Sequence, residues 1–365
     1  MQDIVDKYVG EGSVPAALAL VARGPEVRTA LAGSGIAEDS IFRLASITKP
    51  VTAAAVMILI ENGRLTLASP IAEWLPELAA PMVVRTAAGP VGDVVPAARP
   101  ITVFDLLTSR AGYGFPDQFD APAVQLLTRE LQEDGREVQG PPEPDEWMAA
   151  LARVPLVAQP GEEWLYNTAS DLQGVLIARA SGQSFPEFLA ERVFEPLGMV
   201  DTAFSVPPAK LGRFTSYYRA TDEGLELVDG PDGDWAKPPA FPSGAGGLVS
   251  TASDWLAFAR MLLAEGGNVL SAESVRLMTT DHLTPAQRAN STLFLEGQGW
   301  GFGGSVDVTP TDPWNVPGRY GWVGGTGTAA HIIPATGTVT ILLTQVAATG
   351  PTTPPLMRDF WLESR

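Results

Sequence analysis

Ser46 and Lys49 are the pair in this chain best placed by type and spacing to form a nucleophile and its base. A serine hydroxyl attacks a carbonyl only when a neighbouring group takes its proton. Lysine is scarce here, occurring only at positions 7, 49, 210 and 237, and Lys49 alone follows a serine at three residues. On a helix that spacing sets two side chains on one face, about 5–6 Å apart at Cβ. An amine gives up its proton near neutral pH when it is desolvated or lies near other cations, which arginine does not do. The apolar run Ala53 to Ile60 predicts such a dry setting, and Arg43 is expected to assist by repulsion. A helix N-terminus at Ser46 favours a developing alkoxide and disfavours an ammonium. The competing reading makes Ser46 a helix cap and Lys49 a solvated first-turn residue, and the spacing alone does not choose between them.

Other bases are few. The two histidines, His282 in a polar stretch and His331 in an apolar strand, read as structural, and no Gly-x-Ser-x-Gly elbow occurs. Cysteine is absent, which removes thiolate nucleophiles, disulfides and thiolate zinc sites. The formal net charge of -18 disfavours nucleic acid and anionic membrane as partners. A small neutral molecule fits better. Asp3 and Asp6 stand where a signal peptide carries basic and apolar residues, so cytoplasmic residence is expected.

The elements that must position the pair follow from pattern. Val14 to Ala22 and Val27 to Leu31 read as two antiparallel strands parted by Gly24-Pro25. A helix is expected from Ser46 to a stop at Gly63, with Pro50 in its first turn. Between Ala68 and Phe204, helical segments such as Asp171 to Ala180 and Phe185 to Phe194 alternate with Pro/Gly-rich connections. Gly299 to Val308, Arg319 to Ile333 and Thr338 to Gln345 read as strands, the last two joined by the turn Pro334 to Gly337. These patterns predict an α+β fold, an antiparallel sheet flanked by helices with an inserted all-helical domain. Residues 1–67 and 205–365 would form the sheet domain and residues 68–204 the insertion, with a cleft between them.

With these residues in view, the chain resembles the serine β-lactamase and penicillin-binding-protein superfamily, in particular class C β-lactamases and the β-lactamase-like family VIII esterases. Ser46-Ile47-Thr48-Lys49 is similar to the first motif, within Ile41 to Thr52. The resemblance implies a β-lactamase/transpeptidase-like fold, a covalent acyl-enzyme on Ser46 and a proton shared with Lys49. Pro160 to Tyr166 is similar to the approach to the second motif, Tyr-x-Asn, which implies a catalytic role for Tyr166; whether Lys49 or Tyr166 is the base stays open. The motif then departs, reading Asn167-Thr168 with threonine in the asparagine's place, which puts amide-substrate contacts in doubt. The third motif corresponds to Trp322-Val323-Gly324, followed by Gly325, and it lacks the usual cation. By the same resemblance the backbone N–H groups of Ser46 and Gly325 form the oxyanion hole. Trp322, Gly324, Asn167, Thr168 and Tyr113 are the expected substrate contacts. Further likeness lies in Ile101 to Thr108, Phe194 to Met199 and Ser243 to Thr251.

Loss of the third-motif cation points to a neutral ester or amide in place of a carboxylate-bearing β-lactam or acyl-D-amino acid. The leading expectation is hydrolysis of small carboxylic esters. The alternatives are a β-lactamase, D-aminopeptidase or amide hydrolase, an acyltransferase, and a non-catalytic ligand-binding protein. Gly325-x-Gly327-x-x-Ala330 runs into a strand and so is no dinucleotide fingerprint, and Gly244-x-Gly246-Gly247 lacks a phosphate-loop lysine. Asp229, Asp232 and Asp234 lack the spacing of a calcium loop and read as a solvated acidic segment. Neither a cofactor nor a metal is expected.

Overall fold

The computed structural model describes residues 1–132 and 138–365. Its main sheet is antiparallel and seven-stranded, built from both ends of the chain. The strands are β1 (Ala16–Arg23), β2 (Glu26–Gly33), β3 (Gly299–Trp300), β4 (Ser305–Val306), β5 (Tyr320–Gly324), β6 (Thr328–Ile333) and β7 (Thr338–Thr344). They lie side by side in the order β2-β1-β7-β6-β5-β4-β3. Ala17 pairs with Thr344 across β1 and β7, so the N-terminal hairpin joins the C-terminal strands directly. Helices cover both faces, and β7 is buried from end to end, which explains its unbroken apolar and threonine sequence. Leu18, Leu20, Ile341 and Leu343 face the Lys49–Glu61 helix and Trp255. Ala17, Ala19 and Leu342 face Val5, Met357 and Phe360 of the two terminal helices.

Two expected strands differ in extent. Arg319 to Ile333 is a tight hairpin, because Gly327 N–H bonds Gly324 C=O (3.0 Å) and folds β6 back on β5. Glycine spacing at 324, 325 and 327 was the turn signal hidden inside an apolar run. Gly299 to Val308 contributes two short ladder pieces, β3 and β4.

The stretch 68–204 is mainly helical, with Pro122–Leu131, Pro144–Leu151 and Thr168–Ser181 as its longer helices. It also carries a ribbon of Met82–Val84 against Val94–Pro96, which the sequence pattern did not reveal. One apolar core runs from Leu18 and Ile341 through Val56 to Leu172 and Phe188. The Lys49–Glu61 helix crosses that core, with every residue from Lys49 to Leu59 buried. Such an all-round apolar helix is stable only when enclosed. Among the described residues no helix is long and apolar enough to cross a membrane.

Asp229 corrects the picture of a solvated acidic segment. It ends the strand Gly224–Asp229 of a second ribbon, where its carboxylate pairs with buried Arg43. Arg43 also donates to the carbonyls of Thr215 (2.5 Å) and Gly230 (3.0 Å), and its guanidinium lies 4.1 Å from the Phe214 ring centre. Burial pushes the guanidinium pKa down, and Asp229 opposes that shift.

His331 is structural, as expected. It is 2 % exposed on β6 and packs edge-on against Trp361. Burial, reinforced by the Arg319 charge, holds its pKa well below the ordinary value near 6.5. The unfolded chain therefore binds a proton below about pH 6.5 that the folded chain refuses. Stability should fall as pH drops from 7 towards 5.5, with His331 contributing at most about 1.4 kcal/mol per pH unit. Melting temperatures of wild type and His331→Gln across that range check this, and an unchanged slope in the variant would reject it.

Candidate active site

The chain reaches Ser46 through a constrained turn. Ala45 has φ 46°, and a 3-10 turn over Ala45–Thr48 feeds the α-helix that begins at Lys49. Lys49 is 1 % exposed, and its Nζ lies 2.9 Å from Ser46 Oγ. The same Nζ donates to Asn167 Oδ1 (2.9 Å) and Ala245 C=O (2.7 Å) and sits 4.5 Å from the centre of the Tyr166 ring. The reading of Lys49 as a solvated first-turn residue is thereby excluded. Arg43 is matched by Asp229, so its expected repulsion of Lys49 is largely cancelled.

Each partner of the amine is itself held. Asn167 adopts φ 82° and ψ −74°, and Thr168 N–H reaches back to Tyr166 C=O (3.3 Å), which makes a tight three-residue turn. Such backbone costs about 1–3 kcal/mol and persists where the surroundings require it. Here it delivers the Asn167 amide oxygen to Lys49. The departure from Tyr-x-Asn is thus partly made good, with the amide supplied one residue early. Ala245 is set by buried Asp171, whose Oδ1 accepts from Ser243 Oγ (2.6 Å) and Ala245 N–H (3.0 Å).

Tyr166 stands beside the amine with its hydroxyl accepting from Trp322 Nε1 at 2.8 Å. Its backbone pairs with Phe115 in both directions, at 2.9 and 3.0 Å. Gly114 makes that pairing possible, since a Cβ there would lie 2.4 Å from Tyr166 C=O. The cation of the third motif is replaced by an indole N–H, a neutral donor.

The β5–β6 hairpin comes against the serine turn through Thr328 Oγ1, which donates to Leu44 C=O (2.7 Å), and Thr326 Oγ1, which donates to Arg43 C=O (2.6 Å). Ser46 and Gly325 both line the resulting cavity. The demand for glycine falls on position 324, where a Cβ would lie 2.4 Å from Leu44 C=O and 2.1 Å from Thr328 Oγ1. A Cβ at Gly325 would meet no protein atom within 4 Å. Gly324→Ala should therefore push β5 off the serine turn and slow acylation about 10²-fold, the usual penalty of an ångström-scale misplacement. Rates of fluorophosphonate labelling measure this; equal rates in wild type and variant would show that the close approach is not needed.

The sequence model of the family described as Beta-lactamase matches residues 1–358. The chain belongs to the beta-lactamase family. Among relatives of this beta-lactamase-family protein, it is 39 % identical over 326 residues to Protein Rv1367c of Mycobacterium tuberculosis, covering 86 % of this chain and 79 % of that one. It is 30 % identical over 381 residues to Esterase EstB of Burkholderia gladioli, covering 96 % and 91 % respectively. Its fold matches that of EstCE1, a hydrolase with promiscuous acyltransferase activity, at TM-score 0.81 and 23 % identity, covering 99 % of this chain and 97 % of that one. Family and relatives together support serine hydrolase or acyl-transfer chemistry.

In this beta-lactamase-family chain the cavity measures about 490 Å³. Of the expected contacts, Ser46, Tyr166, Asn167, Trp322, Gly324 and Gly325 line it. Tyr113 does not. It is 1 % exposed, its hydroxyl bonds Val154 C=O (3.2 Å), and burial pushes its pKa up. Thr168 is likewise no pocket residue; it is fully buried in the first turn of the Thr168–Ser181 helix. Sequence reasoning missed Asp171, Ser243 and Ala245, which hold the amine, and Phe115, Phe119 and Phe294, which form the cavity wall. The Ser243 to Thr251 likeness marked the right segment without a role, and isolated phenylalanines gave no signal distinct from core. Among the described residues no cluster of three His, Asp or Glu side chains is placed to hold a metal ion.

Proposed function

We propose that this protein is a carboxylesterase that cleaves neutral esters through an acyl-enzyme on Ser46. The partners of Lys49 carry this reading. Ala245 C=O and Asn167 Oδ1 only accept, so a neutral amine spends its two hydrogens on them and turns its lone pair towards the Ser46 hydroxyl. As Oγ attacks the ester carbon, its proton passes to Nζ and the carbonyl electron pair moves onto oxygen. The N–H groups of Ser46 and Gly325 are the donors for that oxyanion. Collapse breaks the bond to the alcohol oxygen, which regains a proton from Lys49 by way of Tyr166. Water then attacks the acyl carbon, returns its proton along the same groups and releases the acid.

Preference for neutral esters rests on Trp322. Where a cation would draw a substrate carboxylate, an indole donates to Tyr166, and no described lysine or arginine lines the cavity. The test is intact-protein mass after quenching with p-nitrophenyl butyrate, expected to show one butyryl group on the Ser46 peptide and none in Ser46→Ala. Turnover of nitrocefin faster than of the ester would reverse the assignment.

Acyl transfer to an alcohol is the second reading. It draws support from the likeness to EstCE1 and from the apolar wall beside Tyr166, which suits an alcohol better than water. Product masses with and without added alcohol separate the two.

A further inference from the structure

We propose that Phe115, Phe119 and Phe294 form a ring-binding subsite for the alcohol portion of the substrate, so that the preferred ester carries an aromatic alcohol. This rests on the esterase reading above. Phe294 lies 4.6 Å from the Tyr166 ring, Phe119 lies 5.7 Å from Phe294, and Phe115 lies 5.9 Å from Phe119, all between ring centres. Phe294 and then Phe119 thus lead outward from the residue that hands a proton to the leaving alcohol, and Phe115 returns the row to it. A departing group protonated at Tyr166 is directed along that row.

The row is built rather than incidental. Phe115 is tied to Tyr166 by two backbone bonds. Asp117 bonds Thr292 Oγ1 and Leu293 N–H, each at 3.1 Å, which fastens the short helix carrying Phe294 to the segment carrying Phe115 and Phe119. Rings held in place before binding lose little freedom when a ligand arrives. Phe119 is nevertheless 41 % exposed while lining the cavity, so a flat apolar group has unburied aromatic surface to cover. Polarity sets the charge of the occupant. The one carboxylate among the described lining residues, Asp171, is engaged by Ser243 and Ala245, and no described cation lines the wall. An uncharged aryl alcohol matches that wall, and a charged one would be desolvated without a partner.

The experiment compares 2-naphthylmethyl butyrate with methyl butyrate, which share an acyl group and leave as primary alcohols of similar acidity. Wild type should favour the naphthylmethyl ester in kcat/KM. Phe119→Ala and Phe294→Leu should each reduce that ratio about two- to twelvefold, the range of one aromatic contact, mainly through KM. Phe119→Leu, which keeps apolar area but no ring, should fall between. A wild-type ratio near one, or an equal loss on both esters in the variants, overturns the subsite. Binding of 2-naphthylmethanol to Ser46→Ala, followed by tryptophan fluorescence, reads the subsite without turnover. If no ester is cleaved yet that binding weakens with Phe119→Ala, the esterase reading falls and the subsite stands; binding indifferent to Phe119 removes the subsite.

Discussion

Lys49→Met is expected to lower kcat/KM for ester hydrolysis on the order of 10⁴-fold, the upper range for losing a general base, while the protein stays folded. Methionine fills the volume of the lysine stem but leaves Ala245 C=O and Asn167 Oδ1 without their donor. Each orphaned acceptor costs about 1–3 kcal/mol. Part of that is offset because an amine no longer has to be buried. Lys49→Arg separates proton transfer from mere positive charge, since a guanidinium keeps its proton. Both variants should lose activity and fluorophosphonate labelling together. An arginine variant within tenfold of wild type would show that position 49 supplies charge and not a base.

Arg43→Leu is expected to cost about 3–5 kcal/mol of folding stability, the usual result of breaking one side of a buried ion pair. The side chains of Arg43 and Asp229 are 2 % and 13 % exposed. Leucine would leave the Asp229 carboxylate without its counter-charge, lose the stacking of the guanidinium on the Phe214 ring, and strip donors from the carbonyls of Thr215 and Gly230. Urea unfolding measures the loss. The double variant with Asp229→Asn should recover part of it, because the stranded charge has then gone too. A single-variant loss below about 1 kcal/mol would mean that water reaches Asp229 and relieves it.

The fold class and the reactive pair were legible because they rest on local pattern. Apolar runs marked β1, β2 and β7, and one helix with a serine and a lysine at its start stood out in a chain with few lysines. Short ladder pieces such as β3 and β4, and the ribbon Met82–Val84, were not, because strands of two or three residues are set by long-range pairing and not by composition. Tyr113 and Thr168 were misplaced for a different reason. Each lies within two residues of one that lines the cavity, Phe115 and Asn167, but backbone geometry turns neighbours apart: φ is 133° at Gly114 and 82° at Asn167. Asn167 shows the same effect in reverse, as an apparent offset in a motif was absorbed by a turn that no residue pattern announces.

Strand β7 lies between β1 and β6, and the neighbours of Nζ at position 49 come from positions 46, 167 and 245. While the protein is still being synthesised, the hairpin made first has no strand beside it on which to close, and contacts this distant in sequence form late. Enzymatic turnover is consequently a report on the completed chain, and a ribosome-bound or C-terminally clipped form lacking β7 would be silent.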